Sequence, residues 1–259
     1  MATKTAKNGA AKRASAKKIN ILVKTWMTLF LTISGLNRLV PKAMDAKASE
    51  GIIKKQMKLT TKSTKEEARN PIEEAMACLY RFQSEDGSMG EAVNGTVFGI
   101  KAVALKKAVV RPFKTIDKYS MADARGGFHV EGAGKCWMGR DDLIPIIADP
   151  IKKLSYTEKE VASWLDLTDK EMLDQLKDYH KYGCCMREDI VRLQSGVSIP
   201  RYRMEFPTWK IPFEVRFNSD WVSEEILINA IDRAGSEVGL CENRPEKSGD
   251  NWGTFEVSL

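Results

Sequence analysis

An α+β fold is predicted from three observations. Residues 28–34 and 210–217 alternate apolar and polar side chains, as half-buried antiparallel strands do. Between and after them lie apolar stripes at helical spacing, several opened by a capping residue. The 259 residues are 43% hydrophobic and 29% charged, enough apolar material for a sizeable core. The organisation expected is a basic, disordered tail over residues 1–24. It leads into a single domain over 25–259, built on an antiparallel sheet with packed helices and a helical insertion at 150–185.

The elements follow in order. Leu29, Leu31 and Ile33 face one way in the first strand, with Thr28, Thr32 and Ser34 on the other side. Lys24 interrupts the apolar run before it, which is too short to span a bilayer, so neither signal peptide nor membrane segment is expected. Pro41–Lys58 reads as an amphipathic helix with Met44, Ile52, Ile53 and Met57 as its apolar positions. Pro71 opens a second helix, burying Ile72, Ala75, Met76 and Leu79. Gly87–Gly95 is rich in turn residues. Thr96–Arg111 reads as a third helix, ending near Pro112.

Gly126–Glu131 and Lys135–Met138 flank Gly132-Ala133-Gly134 and read as a hairpin; Leu143–Ile147 is a short strand. Thr157–Glu160 and Thr168–Glu171 both fit capping boxes, giving two short helices within 155–182. A helix-turn-helix is the sharper reading of that pair. Neither helix carries a basic recognition face, the second reading Asp169, Lys170, Glu171, Asp174, Lys177 and Asp178, so a helical insertion packed on the sheet is favoured.

The last third is β-rich. Ile190–Leu193, Pro200–Phe206 and Lys210–Phe217 are strand candidates. Ser223 caps a helix with Glu224 and Glu225 in its first turn and Leu227, Ala230, Ile231 and Ala234 as its buried stripe; Gly235 is placed at its C-terminal end. Trp252–Val257 closes the chain as a strand. The segment 210–257 is thus β-α-loop-β, half of a ferredoxin-like unit.

Charge is concentrated. Lys and Arg number 41 against 35 Asp and Glu, a net charge of +6. Lys4, Lys7, Lys12, Arg13, Lys17 and Lys18 supply that whole excess with no acid among residues 1–18. Five cysteines, two of them adjacent and none in a C-x-x-C pair, give neither a disulfide framework nor a zinc motif and point to a reducing, cytoplasmic setting. No nucleophile elbow, phosphate-binding glycine loop, zinc-protease helix or dinucleotide fingerprint occurs. His129 and His180 have no partner at motif spacing, and Asp141-Asp142 is a thin basis for a divalent ion. No enzyme activity, metal or cofactor is expected; a metal-dependent nuclease using Asp141, Asp142 or His129 is the rival.

Binding residues are more legible. Lys106, Lys107 and Arg111 gather on one helix, and Arg125 precedes two glycines. Arg201, Tyr202 and Arg203 form a cation–aromatic–cation string suited to phosphate contact plus base stacking. Arg244 and Lys247 sit in the glycine-containing stretch between the last helix and the last strand, whose amides suit phosphates. These nine residues form the candidate surface for single-stranded RNA or DNA. The competing class is a structural, assembly or inhibitory protein acting through exposed aromatics such as Trp209, Trp221 or Trp252.

The C-terminal residues carry a resemblance. Phe213–Phe217, Ser223-Glu224-Glu225-Ile226-Leu227, Ala234-Gly235, Val238-Gly239, Arg244–Lys247 and Trp252–Val257 resemble the closing unit of RAMP-type proteins, the ferredoxin-like RNA-binding subunits of CRISPR effector complexes. A wider likeness is to an uncharacterised family from bacteriophages and prophages. It rests on Leu79-Tyr80 before Asp86-Gly87, on Val97-Phe98 with Lys101-Ala102 running to Arg111, and on Arg201-Tyr202-Arg203 before Phe206-Pro207 and Trp209. That likeness covers most of residues 25–259. Residues 150–185 match neither group, and Gly239–Arg244 departs from the tighter glycine pattern of the phage family. The resemblance implies a RAMP-like fold and non-catalytic binding of single-stranded nucleic acid, with copies polymerising along the strand, in a host cytoplasm if the protein is viral.

Overall fold

A computed structural model describes residues 23–43, 53–54, 56–57, 69–84, 86–88, 90, 94–116, 118–137, 141–152, 170–192 and 195–258. The expected tail lies outside these residues except for Val23 and Lys24. So does most of the helix expected at 41–58; of its described residues Ile53, Lys54 and Gln56 are helical and Met57 is a turn, while Pro41, Lys42 and Ala43 are not helical, so the helix does not start at Pro41. The first capping box and Thr168 of the second also lie outside them.

Along the chain, β1 (Trp26–Gly35) is followed by α1 (Pro71–Ala77), β2 (Tyr80–Arg81) and β3 (Phe98–Lys101). Next come α2 (Ala102–Val110), a 3-10 turn at Pro112–Lys114, α3 (Met121–Gly127), β4 (Phe128–Glu131), β5 (Gly134–Lys135) and β6 (Asp142–Pro145). Then α4 (Lys170–Tyr179) and a 3-10 turn at His180–Tyr182 precede β7 (Cys185–Arg192), β8 (Ser198–Glu205) and β9 (Lys210–Asn218). The chain closes with α5 (Glu224–Glu237), α6 (Pro245–Ser248) and β10 (Phe255–Ser258).

The molecule is α+β, and every strand pairing among these elements is antiparallel. The principal sheet has the order β10-β1-β9-β4; a second has the order β2-β3-β6-β5; β7 and β8 form a hairpin. In the principal sheet β1 lies between β9 and β10, so the segments read as 210–217 and 252–257 share a sheet without touching each other. Helix α2 precedes β4, α5 joins β9 to β10, and both pack on one face of this sheet and on each other.

That face explains the alternation read from sequence. Leu31 and Ile33 of β1 and Ile211, Phe213, Val215 and Phe217 of β9 are buried under α2 and α5. Helix α5 contributes Leu227, Ala230, Ile231 and Ala234, and Ser223 Oγ accepts the Ile226 amide at its N-terminus. The other face carries Trp26, Thr28 and Phe30 of β1, Glu214 and Arg216 of β9, and His129 and Glu131 of β4, in register across the strands. No described element packs over it.

Four expectations are corrected. Phe98–Lys101 is a strand, not the first turn of a helix. Phe98, Gly99 and Ile100 are all buried between β2 and β6, and such a run has no period to separate strand from helix. The hairpin at 126–138 is absent: Gly126 and Gly127 end α3, β4 pairs with β9, and β5 pairs with β6. Gly235 does not end α5, which continues to Glu237; Gly239, at φ +70°, takes the left-handed position. Gly235 instead allows contact, because a Cβ there would stand 1.9 Å from the Phe255 carbonyl oxygen. Finally, Trp252 and Gly253 form a turn before β10. Within the expected insertion, the described α4 lies against α1 and β7.

Candidate nucleic-acid interface

Helix α2 has two kinds of face. Ala102, Leu105 and Val109 point into the core. Val103, Lys106, Lys107, Val110 and Arg111 line a groove of about 800 Å³. Its other walls are Arg125 and Met121 of α3, Lys101 at the end of β3, and the segment Val238–Cys241 with Arg244 and Glu246. The groove is therefore basic at its rim and apolar at its floor.

Three of its six cations meet a carboxylate. Arg111 Nε lies 2.9 Å from Glu246 and Arg244 Nη2 lies 3.3 Å from the same side chain. Lys101 Nζ meets Asp141 at 2.8 Å, and this hydrogen bond raises its pKa. Lys106 Nζ lies 3.3 Å from His129 Nδ1 and over the Phe128 ring; burial lowers its pKa. Lys107 and Arg125 have no carboxylate within 4 Å among the described residues. Two carboxylates thus answer six cations, and the surplus is positive.

The segment after α5 closes one end of the groove. Gly239, Cys241 and Asn243 all have positive φ, at +70°, +64° and +49°. The intervening amides are anchored: Leu240 N donates to the Gly253 carbonyl and Glu242 N to the Val40 carbonyl. Arg244 Nη1 donates to the Cys241 carbonyl at 3.1 Å, which aims the guanidinium across the opening. Burial pushes the Cys241 thiol up to about 12, so this lining residue is a neutral thiol at pH 7 and a poor nucleophile.

Of the nine residues read from sequence, the groove brings together Lys106, Lys107, Arg111, Arg125 and Arg244. Lys247 lies on α6, beside the groove but not in its lining. Arg201, Tyr202 and Arg203 lie on β8 and are not in its lining. Strand alternation puts Tyr202 on the opposite side from the two arginines. Arg203 is 6% exposed and bound to Asp189 at 3.1 Å and Glu242 at 3.2 Å, so it holds the fold together rather than facing a ligand. Arg69 stands over the Tyr202 ring. Lys101 is a further lining cation that the sequence pattern does not single out; it is the last residue of β3 and stands at the N-terminus of α2.

The competing features resolve differently. Trp209 is buried, Trp221 packs on Phe113 and Tyr119, and Trp252 lies beneath the Arg187 and Arg38 guanidinium groups. All three are used within the chain. Asp141 and Asp142 each face a lysine, Lys101 and Lys135. His180 is buried, which lowers its pKa. Among the described residues no three His, Cys, Asp or Glu side chains converge as metal ligands. No described helix is long and apolar enough to cross a membrane. No known family model matches the chain, and no curated protein matches it.

Proposed function

We propose that this protein is a non-catalytic binder of single-stranded RNA or DNA, with the phosphates seated in the groove between α2, α3 and the 238–246 segment. The carrying observation is the convergence of Lys101, Lys106, Lys107, Arg111, Arg125 and Arg244, drawn from separate elements, on one concavity that holds a single carboxylate of its own. Cations so placed release counterions when they meet a phosphate chain, and that release drives binding. The apolar floor and the neutral Cys241 thiol suit contact with sugar and base rather than acid–base chemistry.

The strand order supports a ferredoxin-like core. Counting β1, β4, β9 and β10 as first to fourth, the sheet runs fourth-first-third-second, with α2 before the second strand and α5 before the fourth. This arrangement is compatible with the likeness to RAMP-type proteins; assembly of several copies along one strand, in a host cytoplasm if the protein is viral, is proposed from the resemblance alone.

The test is fluorescence anisotropy of labelled single strands over a salt series, with Lys107→Glu and Arg125→Glu. Neither side chain holds another part of the described structure, so both variants should fold. Together they should weaken binding at least about tenfold and flatten the log–log salt slope by about 1.4, the share of two phosphates on a single strand. Binding by the double variant equal to wild type, or no binding by wild type at low salt, overturns the proposal. Mass photometry with and without the oligonucleotide tests strand-dependent assembly.

A further inference from the structure

The face of the principal sheet opposite α2 and α5 presents aromatic rings to solvent. Phe30, on the inner strand β1, is 80% exposed. A phenylalanine there leaves in water an apolar ring whose burial would be favourable. Four residues away on the same side of β1, Trp26 lies 5.4 Å from the His129 ring and 5.4 Å beneath the Arg216 guanidinium. His129 sits on the edge strand β4 and meets Lys106, which also lines the groove. A continuous line of side chains therefore runs from the groove, around the β4 edge, onto the open face: Lys106, His129, Arg216, Trp26.

The charges on this face sort a nucleotide into its parts. Glu214 and Glu131 stand in the same cross-strand row as Phe30, with Arg216 3.5 Å from Glu131. Carboxylates beside Phe30 repel a phosphate but not a base. Burial, together with Lys106 and Arg216, lowers the His129 pKa, so at neutral pH it offers a flat uncharged ring in a positive field. Neutral rings on an exposed sheet, with a guanidinium over one of them, suit stacking by unpaired bases.

We infer that Trp26 and Phe30 on the open sheet face stack unpaired bases of the same strand whose phosphates occupy the groove. This rests on the groove reading and adds a second, base-dependent contact to it. Lys106 and His129 mark where the strand crosses from one to the other.

The full chain is tested by anisotropy on two single strands of equal length, one carrying bases and one abasic. Wild type should prefer the base-carrying strand about tenfold, the worth of one or two stacked bases. Phe30→Ala removes an exposed ring, and Trp26→Leu a half-exposed one. Each should cut that preference severalfold while leaving binding to the abasic strand and the salt slope unchanged. Lys107→Glu should instead weaken both strands and flatten the slope. Equal wild-type affinity for the two strands, or a preference kept in both ring variants, overturns the stacking inference and leaves the groove standing. Loss of preference in the ring variants with no effect of Lys107→Glu keeps the stacking face and removes the groove. No binding to either strand at low salt overturns both. If Phe30→Ala splits an oligomer formed without nucleic acid and leaves strand preference intact, the face belongs to a second copy of this chain and the inference fails.

Discussion

Arg201 and Arg203 are the same residue type two positions apart on β8, yet only one is a structural element of the fold. Arg203 lies inside an alternating chain of charge: Lys42, Glu242, Arg203, Asp189, Arg187, Glu205 and Arg38, each within 3.2 Å of the next. Removing one member strands its partners in a poorly solvated site. Arg203→Ala should therefore destabilise the protein by about 3 kcal/mol, while Arg201→Ala should stay within about 0.5 kcal/mol. Urea denaturation of the two variants checks this; equal small effects would mean that Asp189 and Glu242 are satisfied by water. The sequence shows the string Arg201-Tyr202-Arg203 but not its division. Alternation separates the tyrosine from the arginines, and the burial of Arg203 depends on Glu242, far along the chain.

At the scale of elements, legibility follows how local the determining physics is. Strands β1 and β9 and helix α5 were readable because one face of each is buried and the other is wet, so period and cap sit in a single stretch of residues. Strand β3 was not, because both its faces are covered and its partners β2 and β6 are set by the fold. Helix α1 is the clearest local case. Pro71 occupies its first turn, and Asn70 Oδ1 accepts the amides of Ile72 at 3.1 Å and Glu73 at 3.2 Å. With only seven residues the helix has little propensity to draw on. Asn70→Ala should cost about 1 kcal/mol and Asn70→Asp very little, since aspartate caps equally well. Thermal melts of both variants decide whether the cap or the buried Ile72 and Ala75 govern this helix; an unchanged melt for Asn70→Ala would favour packing alone.

For the whole molecule, the question is where the positive charge acts. Residues 1–18 hold all six net charges, so the remaining chain is neutral in sum. The groove shows that neutrality in sum is not neutrality in space: five of the cations read from sequence collect on one concavity, whose lining holds Glu246 as its one carboxylate. No local pattern places these cations in one groove, because residues 101–125 and 238–246 are brought together by the packing of α2 and the 112–114 turn on α5 and by the Arg111–Glu246 pair. The two sources of charge are separable by deletion. With the full chain, about four neutralised phosphates should give a log–log salt slope near −3 on a single strand. Deleting residues 1–18 should bring the slope toward about −2, the contribution of about three groove phosphates, and weaken binding without ending it. The melting transition should not move, because a stretch of Ala, Lys, Thr and Ser with six cations and no acid is expected to bury no core. Anisotropy over a salt series on the truncated chain measures this directly. Binding that disappears with residues 1–18 would reduce the interaction to general charge attraction, since a neutral chain without a working groove has nothing left to hold a phosphate.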